Sequence, residues 1–473
     1  MVSESREKYL LKNTFIFTIG NIATKLITFI LVPLYTYMLT TREYGVVDLI
    51  TTISLVLAPV LFLNISESVM RFSLDKDANY NQIMSTGLVI MSFAVIIGFL
   101  GIPVLQLFSM LKSYSLYIYF YTISSAISQL FLCYLRGKEK LILYTCGNII
   151  NTLAVAIFNI IFLVTLREGI EGYFKAYILA NFITMIYAFI VADILSVIKK
   201  FDINKKLTKD MLKYSLVLVP NVFMWWIMNS ADRIVITAVI GASANGIFAI
   251  AYKIPSLMST IAGIFNQAWS YSAIRENESE DKEIYTNKIY EGFFMIISLS
   301  ALGMMMILKP FMKIYVSEIY YYAWKYTPYL IIGFVFQSLG SFLSTSYTVN
   351  KDSKGFLFSA IFGAVINIIL NFLLIFKYGL IGVALATCMS YMAVFCYRVK
   401  DIKRYIYIDV FNKKYLLIIL LMILEAIIMS WDGLWSQIFL CILFLFGVIL
   451  QYKVWKPLVF YLSKKILLKN GRN

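Results

Sequence analysis

No histidine occurs anywhere in the sequence, which removes the commonest general base, proton shuttle and metal ligand. The five cysteines, Cys133, Cys146, Cys388, Cys396 and Cys441, lack CxxC spacing and fall within or at the ends of apolar runs. They read as small packing residues rather than as a redox or zinc motif. Charge is scarce too, at 14% of residues. Between the apolar runs no stretch is long enough to fold as a catalytic domain; the longest on the charge-poor side is Lys309 to Lys325. No cofactor, no metal and no enzyme activity are therefore expected. Nor is a cleaved signal peptide, because the first apolar run is too long for an h-region and Glu4 and Glu7 interrupt the basic start.

What fills the 473 residues instead is hydrophobic sequence, 60% of the chain, with a mean hydropathy of +0.79. A soluble domain is only about 45 to 50% apolar. A helix crosses the hydrocarbon layer with about 20 apolar residues, and such runs occur at 13–38, 45–66, 82–110, 114–135, 141–165, 173–198, 211–240, 246–272, 288–308, 326–348, 355–377, 379–399, 415–430 and 435–452. They are too long, and apolar on too many faces, for the alternating strands of a membrane barrel. The expected fold is all-α: a polytopic membrane protein of about fourteen transmembrane helices, in two six-helix lobes plus a C-terminal helix pair.

The net charge of +16 would suggest nucleic acid in a soluble protein, but here it is distributed by side. With the N-terminus on side one, 31 of the 42 basic residues lie in the loops of that side and seven in those of the other. The positive-inside rule then places both termini in the cytoplasm, which requires an even number of crossings. No single basic face or groove exists, so nucleic acid is not an expected partner; membrane lipid is.

Residues 1–198 hold six segments and form the N-terminal lobe. A basic cytoplasmic linker follows at 199–213, six more segments occupy 211–399, and residues 400–473 hold the last pair and a basic tail. The lengths suggest a duplication, as in many carriers. Two local matches accompany it: Gly169-Ile170-Glu171-Gly172 with Gly379-Leu380-Ile381-Gly382, each after a helix with interior asparagines (Asn151, Asn159; Asn367, Asn371), and Leu39 to Gly45 with Ile240 to Gly246.

An ionisable group at membrane depth is costly and points to function. Lys25 sits near the middle of the first segment, ~18 Å from either end at 1.5 Å per residue, and must face a polar cavity. Asp232 and Arg233 in the seventh segment and Lys253 in the eighth lie nearer the external ends. Glu67 and Arg71 are spaced for an intrahelical ion pair. Asp48, Glu67, Asp232 and Glu291 are candidate coupling or pairing acids for a proton or sodium ion, with Asp193 and Glu425 further acids near the spans. More cations than acids inside the bundle make its interior suit an anion, and ammonium and guanidinium groups bind diphosphate oxygens. Trp225, Trp226, Asn229, Asn221 and Gln267 are candidate sugar-facing linings.

The first helix and its exit read Asn21, Lys25, Pro33, Tyr35, Leu39, then Glu43-Tyr44-Gly45. This pattern resembles the bacterial polysaccharide-type flippases of the multidrug/oligosaccharidyl-lipid/polysaccharide exporter superfamily. The resemblance implies alternating access that carries an undecaprenyl-diphosphate-linked oligosaccharide from the inner to the outer leaflet of the bacterial cytoplasmic membrane. A cationic cavity between the lobes would take the headgroup, with Lys25, Arg233 and Lys253 as its cations and Arg71 at its entrance. It also implies contact with a polysaccharide polymerase or glycosyltransferases. A flippase for a peptidoglycan or teichoic-acid precursor shares the fourteen-helix plan. A membrane-embedded polymerase or acyltransferase is the reading from another class.

Overall fold

A computed structural model describes residues 22–75 and 77–456, apart from the side chains of Asn221, Trp225, Met228 and Tyr271. Asn21, the start of the first anticipated segment and the basic residues near both ends of the chain lie outside the described residues, as do the side chains of the candidate linings Asn221 and Trp225. Among the described residues there is no strand. In chain order the helices are α1 (Ile22–Met38), α2 (Thr41–Leu61), α3 (Ile65–Ser73), α4 (Tyr80–Leu100), α5 (Ile102–Gln106), α6 (Ser109–Lys112), α7 (Ser115–Gly137), α8 (Leu141–Asn159), α9 (Gly169–Val191), α10 (Ile194–Lys199), α11 (Lys205–Val239), α12 (Ala242–Arg275), α13 (Lys282–Tyr315), α14 (Thr327–Val349), α15 (Ser353–Asp401), α16 (Lys413–Ile428) and α17 (Leu434–Leu450). Among the described residues nine helical stretches are long and apolar enough to cross a membrane, or ten with the bent α11. The protein is a multi-pass membrane protein.

Several helices break where local chemistry says they should. Pro59 lies in the last turn of α2, and Leu63 and Asn64 adopt left-handed φ of 50° and 52°, so the single segment read at 45–66 is two helices with a break between them. Gly101 and Pro103 divide α4 from α5. α11 turns by 54° between Lys205–Met224 and Asn229–Val239. The 49-residue α15 is two helices joined at Gly379, whose φ of 56° and ψ of −134° are not helical. The expected division between the eleventh and twelfth segments falls at this glycine.

The chain divides into two compact units, Met1–Gly246 and Ile247–Asn473. In the first, α3, α4, α7 and α9 bury a core that includes Ile65, Val69, Met84, Leu130 and Ala188. Polar side chains tie helices together within it: Asn151 donates to Asn181 Oδ1 (3.0 Å) and Thr184 Oγ1 (3.1 Å), and Asn181 donates to Ser124 Oγ (3.2 Å). The second unit is packed by aromatic rings, with Trp269 stacked on Phe342 at 4.8 Å and Phe265 on Phe293 at 4.4 Å. Phe294 and Tyr415 meet at 4.5 Å where α13 holds α16.

Candidate functional site

The motif at the end of α1 has a structural reason at each position. Thr40 caps α2: its hydroxyl accepts from the Glu43 backbone N–H (3.3 Å), while Glu43 Oε2 accepts from the Thr40 N–H (2.9 Å). This reciprocal arrangement satisfies two otherwise unpaired donors. Tyr44 is buried and its ring lies 6.2 Å from that of Tyr35. Gly45 permits a close helix crossing. An added Cβ there would run into the carbonyl oxygen of Ala242, and one at Gly246 would run into that of Thr41. Each glycine therefore faces the carbonyl of the residue four positions before the other.

That crossing positions a charged cluster. Asn245, fully buried, donates to the Gly45 carbonyl (2.9 Å) and reaches Asp48 Oδ2 (3.4 Å). Asp48 also receives Arg233 Nε at 2.9 Å, with side chains only 13% and 12% exposed. Arg233 donates a further hydrogen bond to the Asn229 carbonyl (2.9 Å). The sequence placed Arg233 in the candidate cavity without assigning it an acid. The structure brings it together with Asp48, another of the candidate residues, as a largely desolvated ion pair. Its neighbour Asp232 is fully buried. Trp226 donates to the Thr52 carbonyl at 2.7 Å, tying α11 to α2.

Lys25 is exposed on α1 and makes no ion pair among the described residues. Lys253, in the second unit, is half-buried on α12. Arg71 departs from the expected pairing: it binds Asp75 at 2.6 Å rather than Glu67, and both of these side chains are about half exposed. The physical reason is direction. Asp75 follows Arg71 by one turn toward the helix end, in open surroundings, whereas Glu67 turns toward a cavity. That cavity, about 230 Å³, lies among α2, α3 and α7.

In the second unit Glu291 pairs with Lys414 at 3.0 Å, an anchor between α13 and α16. Glu425 is fully buried on α16, and neither of its oxygens has a hydrogen-bond partner. Arg398, counted from sequence as a loop charge, is instead 5% exposed. It donates to Ser359 Oγ (3.0 Å) and to the Gly340 carbonyl (2.8 Å), and so links α14 to both parts of α15. Nothing in its flanking sequence distinguishes it from the loop lysines beside it. Asn245 was missed for a similar reason: an amide near a helix start looks like a cap until its partner across the crossing is known. Among the described residues no group of three or more His, Cys, Asp or Glu could hold a metal ion.

The comparisons agree with this architecture. The sequence profile of the polysaccharide biosynthesis protein family matches residues 10–271. An uncharacterized membrane protein of Methanocaldococcus jannaschii is 28% identical over 253 residues, which are 52% of this chain and 58% of that protein. The chain thus matches little more than half the length of that curated relative. Among solved structures, the lipid II flippase MurJ in an inward closed conformation superposes with a TM-score of 0.66 at 16% identity, over 96% of this chain and 99% of that one. An inward-facing multidrug resistance MATE family transporter of the MOP superfamily superposes with a TM-score of 0.65 at 16% identity, over 82% of this chain and 94% of that one. At these identities the likeness is one of fold.

Proposed function

The chain belongs to the polysaccharide biosynthesis protein family, a family of transporters and not of enzymes, and on that premise we propose that it is a flippase for an undecaprenyl-diphosphate-linked oligosaccharide. It moves the repeat unit from the inner to the outer leaflet by alternating access, for surface polysaccharide assembly. The observation that carries this reading is the extent of the fold match. The lipid II flippase covers 96% of this chain, whereas the multidrug transporter covers 82%. A multidrug carrier therefore leaves a larger part of the chain without a counterpart than a flippase of lipid-linked sugars does.

The physical task suits such a protein. A diphosphate and many hydroxyls cannot cross hydrocarbon unaided, since each unpaired polar group costs about 2 to 7 kcal/mol. Lys25 is the proposed diphosphate anchor, because it is exposed and unneutralised by any acid among the described residues. Lys253 is proposed as a second cavity cation and Arg71 as an entrance group. Arg233 has its charge balanced by Asp48, so its proposed role is to hold α11 in register with α2. The charge asymmetry of the loops supports an orientation with both termini inside, and a bacterial cytoplasmic membrane is the proposed location. A polysaccharide polymerase or glycosyltransferases are proposed as neighbours.

The fold match to a lipid II flippase favours a second reading, a peptidoglycan or teichoic-acid precursor as cargo. Depleting the protein in its native cell and identifying the lipid-linked glycan that accumulates on the cytoplasmic leaflet separates the two. A surface-polysaccharide repeat unit supports the first reading, a cell-wall precursor the second, and no accumulated intermediate refutes both. Within that assay Lys25→Ala is expected to abolish export and Lys25→Arg to retain part of it. Unchanged export in both variants removes Lys25 from the site.

A further inference from the structure

The cavity among α2, α3 and α7 is not used by the reading above, and its chemistry is specific. Its lining includes Glu67, Ser54, Thr122, Gln129, Asn64 and Tyr121. Glu67 is the single ionisable carboxylate in the lining, and it makes no ion pair among the described residues. The hydroxyls of Ser54 and Thr122 are buried without any hydrogen-bond partner, on residues 4% and 3% exposed. A buried hydroxyl left unpaired is destabilising, so two of them on residues lining one cavity beside a carboxylate call for a ligand. Gln129 turns its amide nitrogen to Cys133 Sγ (3.4 Å), which leaves its carbonyl oxygen for other partners. Asn64 makes no capping hydrogen bond despite its position at the start of α3.

The backbone points the same way. The cavity lies at the break between α2 and α3, where Leu63 and Asn64 are left-handed and the last turn of α2 contributes Ala58, Pro59 and Phe62 to the wall. A helix C-terminus carries partial negative charge from its unpaired carbonyls, and interrupted membrane helices coordinate cations at such ends. The N-terminus of α3 offsets part of the Glu67 charge, and the C-terminus of α2 restores it.

We propose that this cavity is a binding site for a partly hydrated monovalent metal cation of sodium size. Every candidate ligand is an oxygen, which selects a hard cation over a soft one. A single carboxylate balances one positive charge, not two. The volume of about 230 Å³ leaves room for the ion to keep several waters, each taking about 30 Å³. Occupancy acts on more than the cavity. Ser68, next to Glu67 on α3, donates to the Met211 carbonyl at 2.9 Å, so an ion held by Glu67 steadies α3 against α11, the bent helix that carries Arg233. If the protein is the carrier proposed above, this is a coupling site; the binding itself does not depend on that reading.

The test is equilibrium binding of radiolabelled sodium to the full-length protein in phosphatidylcholine nanodiscs, without glycan and with choline holding ionic strength constant. Saturable binding of one equivalent per chain is expected, lost in Glu67→Gln and weakened about tenfold, or about 1.4 kcal/mol, in Thr122→Val. No saturable binding to the wild type overturns the proposal, as does stronger binding of calcium than of sodium. If Glu67→Gln fails to fold, the near-isosteric Thr122→Val decides, and unchanged affinity there overturns the site. Because no glycan is present, either result leaves the flippase reading standing, and a carrier of another cargo could still bind the ion.

Discussion

Gly169 opens α9 in the first unit at a φ of 56°, and Gly379 joins the two parts of α15 in the second unit at the same φ of 56°. Each follows a helix with buried asparagines, Asn159 on one side and Asn367 and Asn371 on the other. Around these matching turns the interiors differ. The first unit holds polar groups between its helices: the Asn151, Asn181 and Ser124 chain, the Asp48–Arg233 pair and the cavity at Glu67. The second packs rings against rings, and of its buried ionisable side chains Arg398 is bound to a hydroxyl and a backbone carbonyl while Glu425 has no hydrogen-bond partner. The lesson is that backbone turns can repeat while the side chains packed around them are reassigned.

The comparison can be broken most forcefully at the Gly45–Gly246 crossing. Gly45→Leu has no space beside the Ala242 carbonyl and is expected to cost about 3 kcal/mol or more, read as loss of monodisperse protein and a lowered thermal midpoint. Gly263→Ala, with nothing within 4 Å of the added carbon, is its control and should leave both unchanged. An equal loss in the two variants would show that helix propensity, not the crossing, sets the need for glycine.

A smaller effect is expected at the ion pair. Asp48→Asn removes the carboxylate that Arg233 binds in surroundings that are nearly dry, at a cost of about 2 to 3 kcal/mol. Combining it with Arg233→Gln should recover part of that loss, which a double-mutant cycle on thermal stability measures. Strict additivity would mean that the two side chains do not interact.

The two turns then separate conformation from packing. Gly379→Ala meets no neighbouring atom and pays only for its backbone conformation, φ of 56° and ψ of −134°, about 1 to 3 kcal/mol. Gly169→Ala also takes a positive φ and brings its Cβ to 3.0 Å from Glu43 Oε1, so adding Glu43→Ala should recover part of its loss. No recovery in that double variant would remove Glu43 from the account.

The smallest effect lies at a loop. The backbone N–H of Gly355, then the Tyr405 hydroxyl and the Arg404 guanidinium, hold the Asp352 carboxyl below the usual carboxylate range. A carboxyl lowered in the folded state adds stability above its unfolded value of about 3.9 and loses it as pH falls through the lower folded value. Asp352→Asn should flatten stability against pH over that acidic window, losing the contribution at neutrality and converging on the wild type at pH values below it.

Much of this fold was legible because membrane helices announce themselves: each of the fourteen apolar segments coincides with or overlaps a helix, and the glycine at 379 marked a true break. The matched glycines at 45 and 246 were visible as a repeat, but not that they touch, because reciprocal contact depends on how helices cross. Pairing was read less well. Arg71 was assigned to Glu67 on spacing alone, although Asp75 has the same spacing on the other side, and only the cavity explains the choice. Asp48 and Arg233 were both singled out by depth, yet nothing in one dimension brings them together. Arg398 was invisible because its burial comes from the neighbouring helices and not from its own segment.

The most direct test of the central claim is transport by the purified protein in vesicles. With a fluorescent lipid-diphosphate oligosaccharide placed in one leaflet and an impermeant quencher outside, the account predicts protein-dependent movement to the opposite leaflet that Lys25→Ala abolishes. Movement no faster than in protein-free vesicles would contradict it.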